Sequence, residues 1–279
     1  MALTIDSHQH FWKFNNEEFS WIDDQMKILK KNFLPQDLFP IIQENNVDGT
    51  ITVQARQSLE ETEWILQLSD ENSFIKGVVG WVDLRSKELE KQLERYTQHK
   101  KLAGVRHVIQ SEPDDKFLLR DDFINGIKSL KKYNLSYDIL IYAKHLPQTI
   151  EFVNKFPNQI FILDHIAKPD IKNRIIIPWK KNIERLGRFE NVYCKLSGMI
   201  TEADWHSWKP DDLLPYIDVI VKSFGTERLM IGSDWPVCQV AGDYKKVISV
   251  VTDYFSKFSE IEKENIFGMN AIKAYGLKL

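Results

Sequence analysis

Short apolar runs alternate with amphipathic stretches along the chain, and this alternation predicts the fold class. Each run is short and rich in β-branched or aromatic residues, which is typical of buried strands. Strands separated by helical segments indicate a parallel sheet joined by crossover connections. The predicted strands cover residues 3–8, 49–54, 75–82, 103–109, 135–142, 159–164, 191–196 and 228–233.

Helical patterns fill the segments between these runs, and several begin with capping residues. Pro35 lies in the first turn of one helix, and the segments 58–61 and 259–262 are capping-box patterns that begin with serine and end with glutamate. Gly276 is placed to end the last helix. The other predicted helices cover residues 86–99, 121–133, 146–156, 179–189, 211–224, 243–258 and 259–275.

Eight such strand–helix units predict an α/β protein that forms a single (β/α)₈ TIM barrel, with one domain over residues 1–279. An open doubly wound sheet would more often carry a glycine-rich phosphate loop after its first strand. The sequence contains neither G-x-G-x-x-G nor G-x-x-x-x-G-K-[ST]. It also has no linker-like stretch that would separate two domains.

Composition narrows the range of partners. The 279 residues are 43% hydrophobic and carry a formal net charge of −3, so neither a basic block nor an overall positive charge indicates a nucleic-acid partner. No apolar stretch is long enough to span a bilayer, and we expect no signal peptide. The two cysteines, Cys194 and Cys238, are far apart in sequence. We therefore expect reduced thiols and a cytoplasmic protein, while the oligomeric state stays open.

Two histidines follow the first predicted strand with one residue between them. Residues i and i+2 of a strand point to the same side, so His8 and His10 leave the strand end side by side. Two neutral imidazoles that face one point suit a divalent cation or a polarised carbonyl group. Such pairs also occur on solvated surfaces, so this pair alone is weak evidence for a functional site.

Polar side chains collect at the carboxyl ends of the predicted strands, where a barrel places its active site. Five of the seven histidines lie at these ends. Packing alone would not favour such a set, so we expect it to surround one site. In chain order its members are His8, His10, Gln54, Arg56, Asp83, Arg106, His107, Glu112, Tyr142, Lys144, His145, Asp164, His165, Lys195, Ser197, Ser233 and Asp234.

Several members of this set have a structural alternative. Arg106 and His107 are adjacent in a strand, so one of them points outward. His145 precedes Leu-Pro and either begins a helix or joins the site. Lys195 is either a charge inside the barrel mouth or a surface group, and we favour the inward position because a buried charge is costly unless it is used. His206, among tryptophans, fits packing at the rim.

Asp234 is the strongest single candidate for a catalytic group. It follows an apolar strand and precedes Trp235-Pro236, which disfavours helical continuation. A carboxylate there would face the same mouth as His8 and His10. It can accept a proton from water, or bind a metal and do so.

The motifs resemble those of the amidohydrolase superfamily, and more closely those of its sugar-lactone hydrolase branch, which holds L-fuconolactonase- and L-rhamnonolactonase-like enzymes. They occur in order along nearly the whole chain. The matching segments are DSHQHFW at 6–12, GVRH at 104–107, EPD at 112–114, LDHIAKP at 163–169, CKLSG at 194–198, TEADW at 201–205, GSDWPVC at 232–238 and IFGMNA at 266–271.

The resemblance implies a (β/α)₈ barrel and one divalent metal ion, with zinc expected. His8, His10 and Asp234 are the implied ligands, and Glu112 and His165 are further candidates. Many superfamily members hold two metals with a carboxylated lysine after the fourth strand. This chain has no lysine there, which argues against a binuclear centre. Members of the branch differ in whether they need a metal, so the metal is potentially dispensable.

The implied reaction is hydrolysis of a small-molecule sugar lactone. Asp234 would take a proton from water as the water attacks the ring carbonyl, and His165, Arg106 or the metal would stabilise the oxyanion. Residues expected to bind the sugar are Arg56, Arg106, Tyr142, Lys195 and Trp12, with Phe19, Trp21 and Trp205 as further aromatic candidates. The aromatic segment 11–33 is either a lid or packing at the rim.

Two other functions remain as alternatives. One is a metal-dependent decarboxylase that acts on a small unsaturated or aromatic acid, since relatives with a similar barrel do this. The other is a non-catalytic barrel that binds a sugar acid. The sequence does not identify the sugar, because lactones that differ by a methyl group or a hydroxyl orientation are distinguished by loops.

Overall fold

A computed structural model describes residues 3–278, and in it eight parallel strands form one sheet in chain order. An isolated bridge between Gln9 and Trp235 joins the last strand region to the first, so the sheet curls into a nearly closed barrel. This confirms the predicted (β/α)₈ TIM barrel. The strands are β1 (Ile5–Gln9), β2 (Gly49–Val53), β3 (Ile75–Gly80), β4 (Leu102–Val108), β5 (Ser136–Leu140), β6 (Phe161–Leu163), β7 (Val192–Leu196) and β8 (Leu229–Ile231).

Helices lie between successive strands, as the amphipathic patterns predict. Among residues 3–278, none of them combines the length and the apolar character needed to cross a membrane. The helices are α1 (Pro35–Glu44), α2 (Leu59–Glu71), α3 (Leu89–Tyr96), α4 (Asp121–Leu130), α5 (Leu146–Asn154), α6 (Trp179–Leu186), α7 (Pro210–Phe224), α8 (Tyr244–Phe255), α9 (Glu260–Glu264) and α10 (Asn270–Tyr275).

The predicted caps hold with one difference. Ser259 and Glu262 form the full capping box of α9, and Gly276 ends α10 in the left-handed conformation with φ of 59°. Ser58 caps α2 by accepting a hydrogen bond from the backbone N–H of Glu61. The Glu61 carboxylate instead accepts hydrogen bonds from the backbone of Ala55 and Arg56. It therefore fixes the loop after β2, which carries Arg56 to the barrel mouth.

The predicted helix over 259–275 is interrupted by a π-helical turn at Asn265–Met269. Gly268 lies in this turn against the first strand, where an added Cβ would lie 1.8 Å from the carbonyl oxygen of Leu3. Only glycine allows this approach. The chain then continues into α10, which packs against the barrel interior through Ala271, Ala274 and Tyr275.

This arrangement leaves one end of the barrel for the site. The interior core contains alternate strand residues such as Ile5, Ile51, Val79 and Met230 together with the C-terminal helix. Side chains at the carboxyl ends of the strands are the ones left to form a cavity, which is where parallel barrels place their functional groups.

Candidate active site

Four side chains from separate stretches of chain converge at the carboxyl ends of the strands. The Nε2 atoms of His8 and His10 are 3.1 Å apart. Asp234 Oδ1 lies 3.7 Å from His8 Nε2, 3.4 Å from His10 Nε2 and 3.9 Å from His165 Nε2. All four side chains are nearly inaccessible to solvent, with at most 5% of any of these residues exposed. The structure thus brings together the three histidines and the aspartate that the strand-end pattern singled out.

Unusual backbone conformations aim two of these side chains. Asp234 has φ of 56°, and its N–H donates to the carbonyl of His8 at 2.8 Å, which fixes it beside β1. His165 begins a run of four residues with positive φ that ends at Lys168. Gly198 makes room for the His165 ring, because an added Cβ would lie 2.4 Å from its Nδ1 atom. Non-glycine residues with positive φ are costly and cluster at functional sites.

Hydrogen bonds set which ring nitrogens face the centre. His10 Nδ1 lies 2.7 Å from the carbonyl oxygen of Val53, which can only accept, so Nδ1 carries the proton and Nε2 presents a lone pair. His8 Nδ1 lies 3.2 Å from the Lys195 ammonium, which can only donate, and 3.3 Å from Asp164 Oδ1, which can only accept. The 3.1 Å approach of the two Nε2 atoms is favourable when a proton or a cation lies between them.

The donor set fits a divalent cation. His8 Nε2, His10 Nε2 and Asp234 Oδ1 are separated by 3.1, 3.4 and 3.7 Å, and the three residues form a group that could hold a metal ion. Tetrahedral donors bound to zinc at 2.0–2.1 Å would be about 3.3 Å apart. Two neutral imidazoles and one carboxylate are ligands that suit zinc and other divalent transition metals.

Glu112 is not part of this group, so its predicted role as a metal ligand is corrected. Its Oε1 atom lies 2.6 Å from His107 Nε2. His107 points to the outside of β4, where its ring stacks on Phe117 with centroids 4.9 Å apart. The alternation of β4 therefore sends Arg106 inward and His107 outward, and His107 draws Glu112 away from the barrel mouth.

Lys195 points into the barrel as predicted, but it is neither unpaired nor accessible to a ligand. Its Nζ atom lies 2.6 Å from Asp138 Oδ2, 3.0 Å from Asp164 Oδ1 and 3.2 Å from His8 Nδ1. The side chain is fully buried. The prediction that Lys195 binds substrate is therefore wrong in this geometry. Its ammonium instead neutralises Asp138 and Asp164 beside His8.

Neighbouring charges shift the pKa values of the buried carboxyl groups Asp138 and Asp164. Burial alone would raise the pKa of Asp164, but Lys195, His8 and Arg106 outweigh it and hold that pKa well below its usual value. Burial raises the pKa of Asp138 to about 6 despite the nearby Lys195. Tyr275, from α10, donates a hydrogen bond to Asp138 at 2.6 Å. The buried network of Tyr275, Asp138, Lys195 and Asp164 therefore extends from α10 to the imidazole of His8.

A cavity of about 720 Å³ opens above the four converging side chains. His10, His165 and Asp234 lie at its wall together with Arg106, whose guanidinium donates to Asp164 at 2.9 Å and to the carbonyl of Gln54. Arg106 is only 3% exposed, so it presents a fixed positive charge at the cavity wall. The volume is typical of sites for small molecules.

Arg56 and Tyr142 also line this cavity, as expected for residues that bind substrate. Tyr142 is 41% exposed, so its ring is free to contact a ligand. Arg56 Nη1 lies 2.5 Å from Glu18 Oε1, and its guanidinium is 5.6 Å from the centroid of the Phe19 ring. Arg56 thereby joins the loop after β2 to the segment 11–33.

Trp12 is placed differently from the prediction. Its ring is fully buried and packs on Phe19 and Phe33, while its Nε1 donates to the carbonyl of Lys31 at 2.9 Å. It borders a separate side cavity of about 260 Å³. The proposed stacking of Trp12 on a sugar is therefore corrected. The segment 11–33 packs on itself through Trp12, as the rim-packing interpretation predicts, and it contributes Trp21 to the main cavity. The lid stays a prediction.

The remaining ambiguous histidine is structural. His145 is buried at the start of α5, where its Nδ1 accepts a hydrogen bond from the backbone N–H of Tyr142 and its Nε2 lies 3.1 Å from Asp115. It orders the loop that carries Tyr142. His206 lies on the exposed rim, as the sequence indicated.

The sequence is similar to known proteins along nearly its whole length. The family described as amidohydrolase matches residues 5–277. The chain belongs to the amidohydrolase family. It is 35% identical to a curated L-fucono-1,5-lactonase of Burkholderia multivorans, over 99% of this chain and 97% of that protein. It is 32% identical to the L-fucono-1,5-lactonase of Burkholderia ambifaria, over 99% and 96% of the two chains.

A solved structure shows the same architecture. The crystal structure of an amidohydrolase from Burkholderia multivorans with bound zinc superposes with a TM-score of 0.96 and 35% sequence identity. The match covers 99% of this chain and 100% of the other. Together with the donor group at His8, His10 and Asp234, this likeness supports a divalent metal in this amidohydrolase.

Sequence reasoning assigned no role to Lys168 and Glu202, although both lie within quoted motifs. Both line the main cavity of this amidohydrolase, with Lys168 Nζ 3.5 Å from Glu202 Oε1. They follow β6 and β7 by several residues, beyond the strand ends where the sequence pattern predicts the site. A charged residue within a motif of small and apolar residues, as in HIAKP, is the signal that could have found Lys168.

Glu61 gives a pH-dependent stability that can be measured. Burial raises its pKa to about 7, against 4.5 for an unperturbed glutamate, so the folded state keeps the proton while the unfolded state loses it. The contribution of Glu61 to the free energy of unfolding therefore falls as pH rises from 4.5 to 7 and levels off above 7. Because each pKa unit corresponds to about 1.4 kcal/mol, this group should lower the free energy of unfolding by about 3 kcal/mol across that range.

The Glu61→Gln variant isolates this contribution, because the amide oxygen can still accept from Ala55 and Arg56 but does not titrate. Urea unfolding at several pH values should show the variant gaining stability relative to wild type between pH 4.5 and 7. The exposed Glu71→Gln serves as control and should leave the profile unchanged. Parallel profiles for wild type and Glu61→Gln would contradict the assignment.

Proposed function

We propose that this amidohydrolase opens the ring of sugar lactones to give aldonic acids. The observation that carries the proposal is the convergence of His8, His10, His165 and Asp234, the last three of which line one cavity, in a chain 35% identical along its length to a curated L-fucono-1,5-lactonase. Lactone hydrolysis adds a water oxygen to the ring carbonyl carbon. The bond between that carbon and the ring oxygen then breaks, and the ring oxygen takes up a proton.

Asp234 is the proposed base. Burial opposes its ionisation, but His165, His10 and His8 around it hold its pKa below the usual range, so it is ionised at neutral pH. An ionised carboxylate accepts a hydrogen bond from water and aims the water oxygen at the carbonyl carbon. It takes the proton as the new bond forms and can return it to the departing ring oxygen.

His165 and Arg106 are the proposed partners of the carbonyl oxygen. Burial lowers the pKa of His165 to about 4, so its ring is neutral at pH 7 and can donate one N–H. Ser197 Oγ lies 2.9 Å from His165 Nδ1 and holds the ring in place. Arg106 adds a fixed positive charge from β4. Preorganised donors of this kind stabilise charge as it develops in the transition state.

Zinc is the metal that we propose for the group formed by His8, His10 and Asp234. When bound, such a cation would polarise the carbonyl group or lower the pKa of water. His10 holds its Nε2 lone pair toward this point because Val53 engages the opposite nitrogen, and His8 Nε2 lies 3.1 Å from it. We propose Arg56 and Tyr142 as contacts for the sugar hydroxyl groups or for the new carboxylate.

A panel of lactones tests the proposal. Purified protein would be mixed with L-fucono-, L-rhamnono-, L-galactono- and L-arabinono-lactones, and acid release would be followed with a pH indicator. We expect at least one sugar lactone to be hydrolysed with kcat/KM of about 10⁴ M⁻¹ s⁻¹ or more, the range of ordinary enzymes. Carbon dioxide release from an aromatic acid, without hydrolysis of any lactone, would favour the decarboxylase alternative. Binding of a sugar acid without any turnover would favour a non-catalytic barrel.

Metal content gives a second prediction. Wild-type protein purified without chelator should hold about one divalent ion per chain, because the two possible donor groups among the described residues, His8-His10-Asp234 and His8-Asp164-His165, share His8. His10→Asn should lose the ion and most of the activity, whereas His206→Asn, on the exposed rim, should keep both. Elemental analysis measures the content. Full activity of metal-free wild-type protein would make the ion dispensable and leave the histidines as hydrogen-bond donors.

We also propose that residues 1–279 act as a single domain. The cytoplasmic location stays a prediction from sequence, and the oligomeric state stays open.

A further inference from the structure

Lys168 and Glu202 form a charged pair on the wall of the main cavity, outside the group that performs the proposed chemistry. Lys168 Nζ lies 3.5 Å from Glu202 Oε1, and about a fifth of each side chain is exposed. The backbone holds the two residues together, because the N–H of Lys172 donates to the carbonyl of Glu202 at 2.9 Å. Lys168 ends the left-handed run that begins at His165, so its position is coupled to that of the reacting centre.

This pair has unused hydrogen-bonding capacity. An ammonium group has three donors, and a carboxylate has about four acceptor sites. Within residues 3–278, Lys168 is the one side chain whose charged group approaches the Glu202 carboxylate, and at 3.5 Å this contact is long for a hydrogen bond. The other close contact of Lys168 Nζ is the ring of Tyr142, at 5.7 Å. Several donors and acceptors therefore face the cavity at one place.

Hydroxyl groups satisfy such a pair better than other ligand groups. A hydroxyl both accepts and donates, so it can accept from Lys168 while it donates to Glu202. Two neighbouring hydroxyls on a ring can each reach one member of the pair and also each other. A planar carboxylic acid would meet the negative charge of Glu202, and an amine would meet the positive charge of Lys168. The chemistry of the pair therefore matches a polyhydroxylated ligand.

The pair also faces the cavity that holds the proposed reacting groups. Glu202, Lys168 and Tyr142 line the same cavity as Asp234 and His165. Trp205, whose Nε1 donates to the carbonyl of Thr201 at 2.8 Å, borders the same wall and offers an apolar surface. Lys168, Glu202 and Trp205 therefore face the same cavity space as the proposed base.

We infer that Lys168 and Glu202 determine substrate specificity by binding two neighbouring hydroxyl groups of the lactone ring. The inference rests on the proposed lactonase function and adds the chemical class that the cavity selects. The enzyme should require a lactone with adjacent free hydroxyls and discriminate against analogues that lack either of them.

The test combines variants with altered substrates. Lys168→Met and Glu202→Gln would be assayed on a hydroxylated sugar lactone and on deoxy analogues that each lack one ring hydroxyl. On the full lactone each variant should lose about 10- to 100-fold in kcat/KM, mostly through KM, as expected for a hydrogen bond to a charged group. On the analogue that lacks the bound hydroxyl, the same variant should match wild type within about twofold. Lys172→Met, an exposed neighbour, is the control.

The outcomes separate the two proposals. An equal loss on the full lactone and on every deoxy analogue would overturn the specificity role and leave the lactonase function in place. Analogues that turn over too slowly would be measured as competitive inhibitors. If wild type hydrolyses no lactone, the proposed function fails. Calorimetric binding of a sugar acid and its deoxy analogues would then test the pair, and unchanged discrimination in the variants would overturn it.

Discussion

Replacing Asp234 with asparagine is expected to lower kcat for lactone hydrolysis by about 100- to 10,000-fold, the range for loss of a general base. The amide has the same shape and can still accept a hydrogen bond, but it cannot take a proton from water. Asparagine also tolerates the left-handed backbone of this position, where φ is 56°. Initial rates with a pH indicator measure the loss, and circular dichroism checks that the variant is folded.

The exposed Asp211→Asn is the matched control, since this residue lies at the start of α7 on the protein surface. It should retain full activity. Undiminished turnover in Asp234→Asn, with the control also active, would show that another group takes the proton.

Replacing Lys195 with methionine is expected to lower the free energy of unfolding by about 3–5 kcal/mol, which is typical when one partner of a buried ion pair is removed. The ammonium lies 2.6 Å from Asp138 and 3.0 Å from Asp164, and all three side chains are fully buried. Methionine fills a similar volume, so lost packing is small. Two carboxyl groups would then share a dry interior with Arg106 as the remaining cation beside Asp164. Urea unfolding measures the change.

Lys91→Met is the control for this prediction. Lys91 pairs with Glu88 at 2.6 Å on the surface, where ion pairs contribute about 0–1 kcal/mol. The double variant Lys195→Met with Asp138→Asn should recover part of the lost stability, because it removes one of the uncompensated carboxylates. If Lys195→Met unfolds at the same urea concentration as wild type, the buried ion network does not stabilise the fold.

Much of the fold could be predicted because hydrophobic periodicity and capping are local. Eight apolar runs and the capping serines define where strands and helices begin, and each lies within a few residues of the observed element. The π-helical turn at Asn265–Met269 could not be predicted in this way. Its cause is the contact between Gly268 and Leu3, which are close only after folding.

Part of the site was predictable because strand direction alone determines which strand-end residues come near one another. Strand ends meet at one rim of a parallel barrel, so His8, His10, His165 and Asp234 had to come near one another. What side chains contact beyond that point depends on neighbours in three dimensions. No residue near Lys195 in sequence indicates Asp138, which comes from β5, so the sequence predicts a substrate-binding lysine where the structure has a buried ion pair.

Glu112 and Trp12 show the same limit at the rim. Glu112 follows β4 closely enough to reach the mouth, but the outward ring of His107 binds it at 2.6 Å. Trp12 follows His10 by two residues, yet the aromatic residues of segment 11–33 enclose its ring. In both cases a competing partner on a loop, rather than strand geometry, determines where the side chain lies.

The most direct test of the account is a crystal structure of Asp234→Asn soaked with the sugar lactone that the wild type hydrolyses fastest. We expect a lactone carbonyl carbon within about 5 Å of residue 234, its oxygen toward His165 and Arg106, and two ring hydroxyls on Lys168 and Glu202. Attack on the carbonyl needs the water oxygen about 3–3.5 Å from the carbonyl carbon, so this distance leaves room for one water between the carbonyl and residue 234. A lactone bound in the cavity with its carbonyl directed away from all four converging side chains would contradict it.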